Sequence, residues 1–315
     1  MFKHIFGPVP SRRLGMSLGI DVIPKKVCSL DCVYCEVGET TKLTVDRREY
    51  VLYDRLVAEL DQYFQTEDRL PDYYTFSGSG EPTLNSRLAD LIRYVKERRP
   101  SAPVAVLTNG TLLHDPEVRA AVGLADLVLP SLDSAREESF RAINRPEASL
   151  SVQAYVDGLV AFRAEYPGKI YLEVFVLPGY NMADEDADSL RAAVLRIGPD
   201  LIQINTLDRP GAIPGLRAAT ELEIDSFIRR LNLSHVEIIA PVQERKKNVS
   251  YRHDTESAIL ETIQRRPCTL EDITKILGMH VNEVNKYLDV LENDGRIEVV
   301  SQERGFFYRP ARKEA

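Results

Sequence analysis

The sequence predicts an α/β protein: a partial (β/α)6 barrel of the TIM type, followed by a small C-terminal winged-helix domain. Three observations carry this. From residue 17 to about 206, short β-rich runs alternate with amphipathic helical patterns. Several of those runs are nearly continuous apolar stretches, as strands covered on both faces are. After residue 254 the rhythm changes to three helical patterns and a two-strand hairpin. The division expected is residues 1–240 for the barrel, 241–254 for a linker and 255–315 for the winged-helix domain.

In chain order the strand candidates are "SLGIDVI" (17–23), "YYTFSG" (73–78), "PVAVLTNG" (103–110), "DLVLPSL" (126–132), "IYLEVFVLPG" (170–179) and "LIQINTL" (201–207). The helix candidates between them are "DRLVAELDQYF", "SRLADLIRYVKERR", "DPEVRAAVG", "AREESFRAI", "VQAYVDGLVAFRAEY" and "DSLRAAVLRIG". Asp115-Pro116 reads as an N-cap followed by proline at the first helical position. A further pair, "ELEIDSFIRRL" and "VEIIA", extends the alternation. Strand–helix alternation argues for a parallel sheet, and six units suggest a partial barrel.

Residues 241–254, "PVQERKKNVSYRHD", are polar and locally basic, with Arg245, Lys246, Lys247 and Arg252, and read as the linker. Beyond it "TESAILETIQRR" is a helix. "TLEDITKILG" opens with Thr269 three residues before Asp272, a capping-box-like start, and ends at Gly278. "VNEVNKYLDVLENDG" is the third helix, and "RIEVVSQERGFFYRP" is the hairpin.

The 315 residues suffice for one large domain and one small one, and 44% hydrophobic with 28% charged residues suits a packed core. No stretch approaches the ~18 apolar residues of a membrane span, and the start "MFKHIFGPVPSRR" lacks the apolar run of a signal peptide. The expectation is a cytoplasmic protein with no membrane partner. The net charge of −8 argues against a dominant electrostatic grip on nucleic acid.

"VCSLDCVYCEVG", residues 27–38, holds three of the four cysteines. In the expected compartment clustered cysteines are metal ligands or redox groups more often than disulfides. The segment follows the first strand candidate, at the end of the sheet where barrel enzymes collect their chemistry. Thiolates suit zinc or iron–sulfur clusters. A structural zinc site closes with four ligands, whereas the remaining cysteine, Cys268, lies far away, and neither His4 nor His114 has ligand spacing to the trio. Cys268 reads as a buried or half-buried free thiol. Three thiolates on a four-iron cluster leave one iron open for a substrate or cofactor.

The C-x3-C-x2-C spacing of Cys28, Cys32 and Cys35, with the aromatic Tyr34 before the last, resembles the signature of the radical S-adenosylmethionine (SAM) superfamily. The resemblance implies that the three cysteines ligate one 4Fe–4S cluster whose fourth iron chelates SAM. It implies reductive cleavage of SAM to a 5′-deoxyadenosyl radical, which abstracts hydrogen. Tyr34 would pack near the adenine. Ser77, Gly78, Ser79, Gly80 and Glu81, ahead of Pro82, match the family's glycine-rich loop, which holds the SAM amino group; Ser79 stands where a second glycine is usual. Thr108 and Asn109 end the third strand, Ser131 and Asp133 the fourth, and Leu177 lies in the turn after the fifth, all at rims that contact cofactor or substrate in related enzymes. Arg12, Arg13, Asn205 and Arg209 are candidate substrate contacts. No side chain is assigned as catalytic acid or base, since the cofactor performs the abstraction. A flavodoxin or ferredoxin would supply the electron.

"GPVPSRRLGMSLGID" together with the cysteine segment resembles the wyosine-synthase-like branch, whose members act on a transfer-RNA base. Those synthases carry a second cysteine cluster, but this chain has no cysteine before Cys28. A winged helix that reads DNA places its third helix in the major groove. Here that helix sets Lys286 against Glu283, Asp289, Glu292 and Asp294, although Arg296, Arg304 and Arg309 lie in the wing. Related winged helices dock peptides. The leading expectation is therefore a radical SAM enzyme with a macromolecular substrate such as a peptide or protein. The alternatives are a tRNA-modifying enzyme and, third, an iron–sulfur redox regulator that binds DNA.

Overall fold

The computed structural model describes residues 2–66, 70–208, 211–239, 253–302 and 305–311. Strands β1 (Ile5–Ser11) and β2 (Gly15–Ile20) open the chain as an antiparallel pair. The cysteine segment follows and contains β3 (Val27–Cys28), which pairs with β4 (Lys42–Leu43). Alternation then begins: α1 (Tyr53–Thr66), β5 (Tyr73–Phe76), α2 (Leu88–Arg98), β6 (Val104–Thr108), α3 (Pro116–Val122), β7 (Leu127–Pro130), α4 (Glu137–Asn144), α5 (Val152–Glu165), β8 (Lys169–Phe175), α6 (Asp184–Ile197), β9 (Leu201–Asn205), α7 (Glu221–Leu231) and β10 (Val236–Ile238).

The main sheet has eight strands in the order β1-β2-β5-β6-β7-β8-β9-β10. Every pair from β2 onward is parallel. The expected parallel α/β sheet is present. All its strand-to-helix loops therefore emerge at one end, which gathers residues distant in sequence. The period-2 alternation of each strand separates the two faces. Val104, Val106, Val128, Ile170, Leu172, Ile202 and Ile204 pack under the helices with Leu56, Leu60, Leu91 and Leu159. Ala105, Leu127 and Leu129 face the other way and pack with Leu14.

Strand β1 has no counterpart among the sequence expectations. Its Gly7, Pro8 and Pro10 read as anything but a strand. It occupies the sheet's edge, where a missing N–H is tolerated because one side of the strand needs no partner.

The C-terminal unit comprises α8 (His253–Arg265), β11 (Cys268–Thr269), α9 (Leu270–Leu277), α10 (Val281–Asn293), β12 (Ile297–Gln302) and β13 (Gly305–Pro310). The helix over 253–265 includes His253 and Asp254, two residues read from the sequence as linker; positions 241–252, with Arg245, Lys246, Lys247 and Arg252, lie outside the described residues. Strand β11 adds a third strand to the hairpin, in the order β11-β13-β12. The Thr269–Asp272 capping box closes both ways, and Gly278 ends α9 in the left-handed conformation. Ile259, Ile263, Ile273, Val284, Tyr287, Leu288 and Leu291 form a core separate from that of the main sheet. Cys268 is buried within it and free.

Candidate functional site at the strand ends

The loop after β2 carries Cys28, Cys32 and Cys35, each partly exposed and none in a disulfide. Backbone bonds pin it to the end of α4: Asp31 N–H donates to the Asn144 carbonyl at 3.0 Å and Val33 N–H to that of Ile143 at 2.9 Å. Each sulfur meets a nitrogen donor. Asn109 Nδ2 is 3.6 Å from Cys28 Sγ, and Asn144 Nδ2 is 3.4 Å from Cys32 Sγ. Lys26 Nζ is 3.0 Å from Cys35 Sγ. Burial, then the charge of Glu81, pushes the Cys28 thiol up to about 12; burial also raises Cys32 well above the usual range. Burial lowers the Lys26 pKa, but Cys35 and its two neighbours outweigh burial and keep the ammonium charged.

These donors fit an anionic, thiolate-held cluster, because N–H groups directed at ligating sulfurs stabilise its negative charge. Among the described residues no three His, Cys, Asp or Glu side chains converge on one metal ion. Ligation of a cubane cluster needs no such convergence, since each thiolate binds a different iron.

The loop after β5 lies against the cysteine loop. Lys26 N–H donates to the Ser79 carbonyl at 2.7 Å, and Glu81 N–H to that of Val27 at 3.1 Å. Two glycines permit the approach: a Cβ on Gly80 would lie 2.0 Å from the Val27 carbonyl oxygen, and one on Gly78 2.1 Å from Asp21 Oδ1. Ser79 is buried, and its N–H and hydroxyl donate to Asp21 Oδ2 at 3.0 and 2.8 Å. Glu81, 2% exposed, does not face open space. Its Oε1 accepts from Thr83 N–H, Thr83 Oγ1 and Thr108 Oγ1, and its Oε2 from Asn109 N–H at 2.7 Å. Burial outweighs these bonds and raises its pKa. Glu81 thus braces the loop after β5 to the end of β6.

The other rim residues also stand behind the site surface. Asn109 Nδ2 donates to Ser29 Oγ at 2.8 Å. The Ser131 carbonyl accepts from the Tyr155 hydroxyl. Asp133 accepts from Tyr34 Oη at 2.5 Å, Asn144 Nδ2 at 2.6 Å and Phe175 N–H at 3.0 Å. Burial pushes its carboxyl up to about 6. Asn144 thereby joins Asp133 to Cys32. The Tyr34 ring stacks on Phe175, with centroids 3.8 Å apart and planes 9° from parallel. Leu177 is completely buried in an apolar cluster with Val33, Ile143 and Phe175.

A cleft of about 350 Å³ opens on the face of the sheet that carries Leu107, opposite the face packed under α1 to α7. Tyr34, Cys35, Ser77 and Gly78 form one side, and residues of β2, β5, β6, β8 and β9 form its floor: Ser17, Thr75, Leu107, Glu173 and Asn205. Arg12 and Arg13 line it too, so three of the four candidate substrate contacts converge there; Arg209 lies outside the described residues. Arg13 pairs with Glu173, Asn205 Nδ2 donates to Glu173 Oε1 at 2.8 Å, and Arg12 pairs with Asp208 at 3.1 Å. Burial pushes the Glu173 carboxyl up, but Arg13 and Asn205 outweigh burial and hold it below its ordinary value.

Glu173 was missed in the sequence, although an acid inside the apolar run "KIYLEVF" is the kind of anomaly that marks a site. The roof was also missed. Asn282, Asn285 and Lys286 of α10 close the cleft from the C-terminal unit. Asn285 is 3% exposed, and neither its side chain nor that of Asn282 makes a hydrogen bond to the described residues.

A family model described as the radical SAM superfamily matches residues 22–190, more than half of the chain. A UPF0026 protein of Methanocaldococcus jannaschii is 29% identical over 312 residues, covering 96% of this chain and 94% of that one. A Brachyspira hyodysenteriae protein named GTPase Obg is 34% identical over 296 residues, covering 94% of this chain; the match spans only 43% of that longer protein. A crystal structure of a radical SAM methyltransferase from Sphaerobacter thermophilus shares the fold at a TM-score of 0.53 and 15% identity, over 70% of this chain and 65% of that one. The chain belongs to the radical SAM superfamily, whose cofactors are a 4Fe–4S cluster and S-adenosylmethionine.

Proposed function

We propose that this chain is an enzyme that cleaves SAM reductively and abstracts hydrogen from a substrate held between the strand ends and α10. The observation that carries the reading is the contact between two loops: the cysteine trio and the Ser77–Glu81 loop are joined through Lys26–Ser79 and Val27–Glu81 backbone bonds. That contact brings a thiol ligand set beside a loop suited to an ammonium and carboxylate.

In this reading Cys28, Cys32 and Cys35 hold the cluster. The cluster and SAM together supply one-electron cleavage of the sulfonium and the hydrogen abstraction that follows. The protein's own work is binding, orientation and charge. The Lys26 ammonium offsets thiolate charge at Cys35. Ser77 and Gly78 form the part of the glycine loop that lines the cleft, while Asp21 and Glu81 fix it from behind. Tyr34, held by Asp133 and Phe175, forms a rigid aromatic wall for the cofactor. Arg13, Glu173 and Asn205 offer donors and acceptors to a substrate.

For the substrate we favour a peptide or protein group over a transfer-RNA base. A phosphate backbone needs available cations, but Arg12 and Arg13 are both engaged with carboxylates. The tRNA alternative also has no second cysteine set before Cys28. We read the main sheet as the expected partial barrel and the C-terminal unit as a winged helix, and we keep the cytoplasm and a flavodoxin or ferredoxin donor as expectations. The DNA-binding regulator is disfavoured because α10, the helix that would enter a groove, is turned toward the cleft. The GTPase name of the Brachyspira relative is not carried over, as this chain contains no G-x-x-x-x-G-K-[ST] loop.

The test is anaerobic. After cluster reconstitution, SAM and dithionite without substrate should yield 5′-deoxyadenosine and methionine, and Cys35→Ala should yield neither. A reducible cluster that neither binds nor cleaves SAM would contradict the reading and favour the redox regulator.

A further inference from the structure

Among the described residues, His280 of the C-terminal unit makes a buried polar contact with the main body. His280 Nε2 lies 3.0 Å from Asp21 Oδ2, with the two side chains 9% and 6% exposed. The His280 ring also stacks on Phe6 of β1, centroids 4.3 Å apart. The hydrogen bonds assign the tautomer: His280 caps α10 by accepting the Asn282 N–H at Nδ1, so Nε2 carries the proton and donates to Asp21. Asp21 Oδ2 is the same oxygen that accepts both bonds from Ser79 in the glycine loop. Its Oδ1 accepts from Ile23 N–H at 3.2 Å and fills the space that a side chain at position 78 would need.

We propose that His280 is a positioning residue for SAM, acting through Asp21 on the Ser77–Glu81 loop, so that seating of the C-terminal unit and SAM binding are coupled. The inference rests on the assignment of that loop to SAM made above. His280 and Ser79 both bond Asp21 Oδ2 while Ile23 N–H bonds Oδ1, so the carboxylate is held at both oxygens. Without His280 it gains freedom, and the loop it holds loses its fixed position. Linkage makes the effect reciprocal: SAM must favour the seated unit by the same factor.

Two substitutions separate this role from simple stabilisation. His280→Asn keeps a good N-cap for α10 but is too short to reach Asp21. His280→Gln is a poor cap but can carry a donor to Asp21. With reconstituted full-length protein and equilibrium dialysis of SAM, His280→Asn should bind SAM about 10-fold more weakly at unchanged iron content, within the usual range of coupling between sites. His280→Gln should stay within about threefold of wild type even though its α10 is less well capped. Hydrogen exchange on the wild-type chain requires no variant: SAM should slow exchange over residues 281–293. The proposal is overturned if His280→Asn binds SAM as wild type does, if both variants lose affinity equally, or if exchange in α10 ignores SAM. Failure of the wild-type chain to bind SAM at all would instead overturn the functional reading beneath it.

Discussion

The two walls of the cleft are built on opposite principles. On the strand-end wall most polar side chains already have partners: Glu81 accepts four hydrogen bonds, Asp133 three, and Ser79 is held by Asp21, while Asn144 Oδ1 is buried without one. On the α10 wall Asn282 and Asn285 make no side-chain hydrogen bond to the described residues, although Asn285 is buried. A wall so bonded is fixed before anything binds, which suits a cofactor that must arrive in one geometry. Side-chain amides that line a cleft and make no bond within the protein leave donors and acceptors available to a ligand. Under the proposed function, the difference suits the first wall to the cofactor and the second to the substrate.

The strongest way to break this comparison is at the cysteines. Cys28→Ala, Cys32→Ala or Cys35→Ala should each lose nearly all iron and all SAM cleavage; iron analysis showing a full, active cluster in any of them would remove the first wall's assignment. Next is Glu81→Ala. Its removal orphans Asn109 N–H, Thr83 N–H and two threonine hydroxyls in a buried setting, so unfolding should become easier by about 2–4 kcal/mol, with weaker SAM binding. Denaturation midpoints and SAM dialysis check both parts, and unchanged SAM affinity would detach the brace from the cofactor.

Glu173→Gln should cost less, about 1–3 kcal/mol, because the Arg13 guanidinium keeps one neutral acceptor. The pH dependence is fixed in sign. The Glu173 carboxyl is held below its ordinary value in the folded chain, so its contribution is full above the unfolded pKa of about 4.3 and is lost as pH falls through the folded value. The stability difference between wild type and Glu173→Gln should therefore shrink steadily below pH 4; a difference that grew there would contradict the ion pair. The smallest effect belongs to the roof. Asn285→Leu should leave stability within about 1 kcal/mol or raise it, since no hydrogen bond is broken. A loss of several kcal/mol in thermal unfolding would mean that Asn285 is an element of structure rather than a substrate contact.

Both motifs behind the proposed cofactor site were visible in the sequence, because the three cysteines and the Ser77–Glu81 loop each consist of residues close together in the chain. The parallel sheet was equally readable, since its strands are apolar runs bounded by capped helices. Strand β1 was hidden by its prolines, which propensity counts against a strand but an edge position tolerates. The position of Glu81 was misleading for a different reason. A glutamate in a glycine-rich loop suggests a ligand contact, and only the fold reveals that Thr83, Thr108 and Asn109 consume its oxygens. The roof was unreadable because it depends on docking. Nothing in "MHVNEVNK" signals that His280 will meet Asp21, 259 positions earlier. What could be seen was acidic character in α10, which argued against a groove-binding role without indicating the cleft it faces.

The central claim is that the strand-end wall holds a cluster with SAM beside it. The most direct measurement is electron paramagnetic resonance of the dithionite-reduced, reconstituted chain, recorded with and without SAM. The account predicts a reduced-cluster signal that changes on adding SAM and is absent in Cys35→Ala. A full cluster signal in the wild-type chain that saturating SAM leaves unaltered would contradict it.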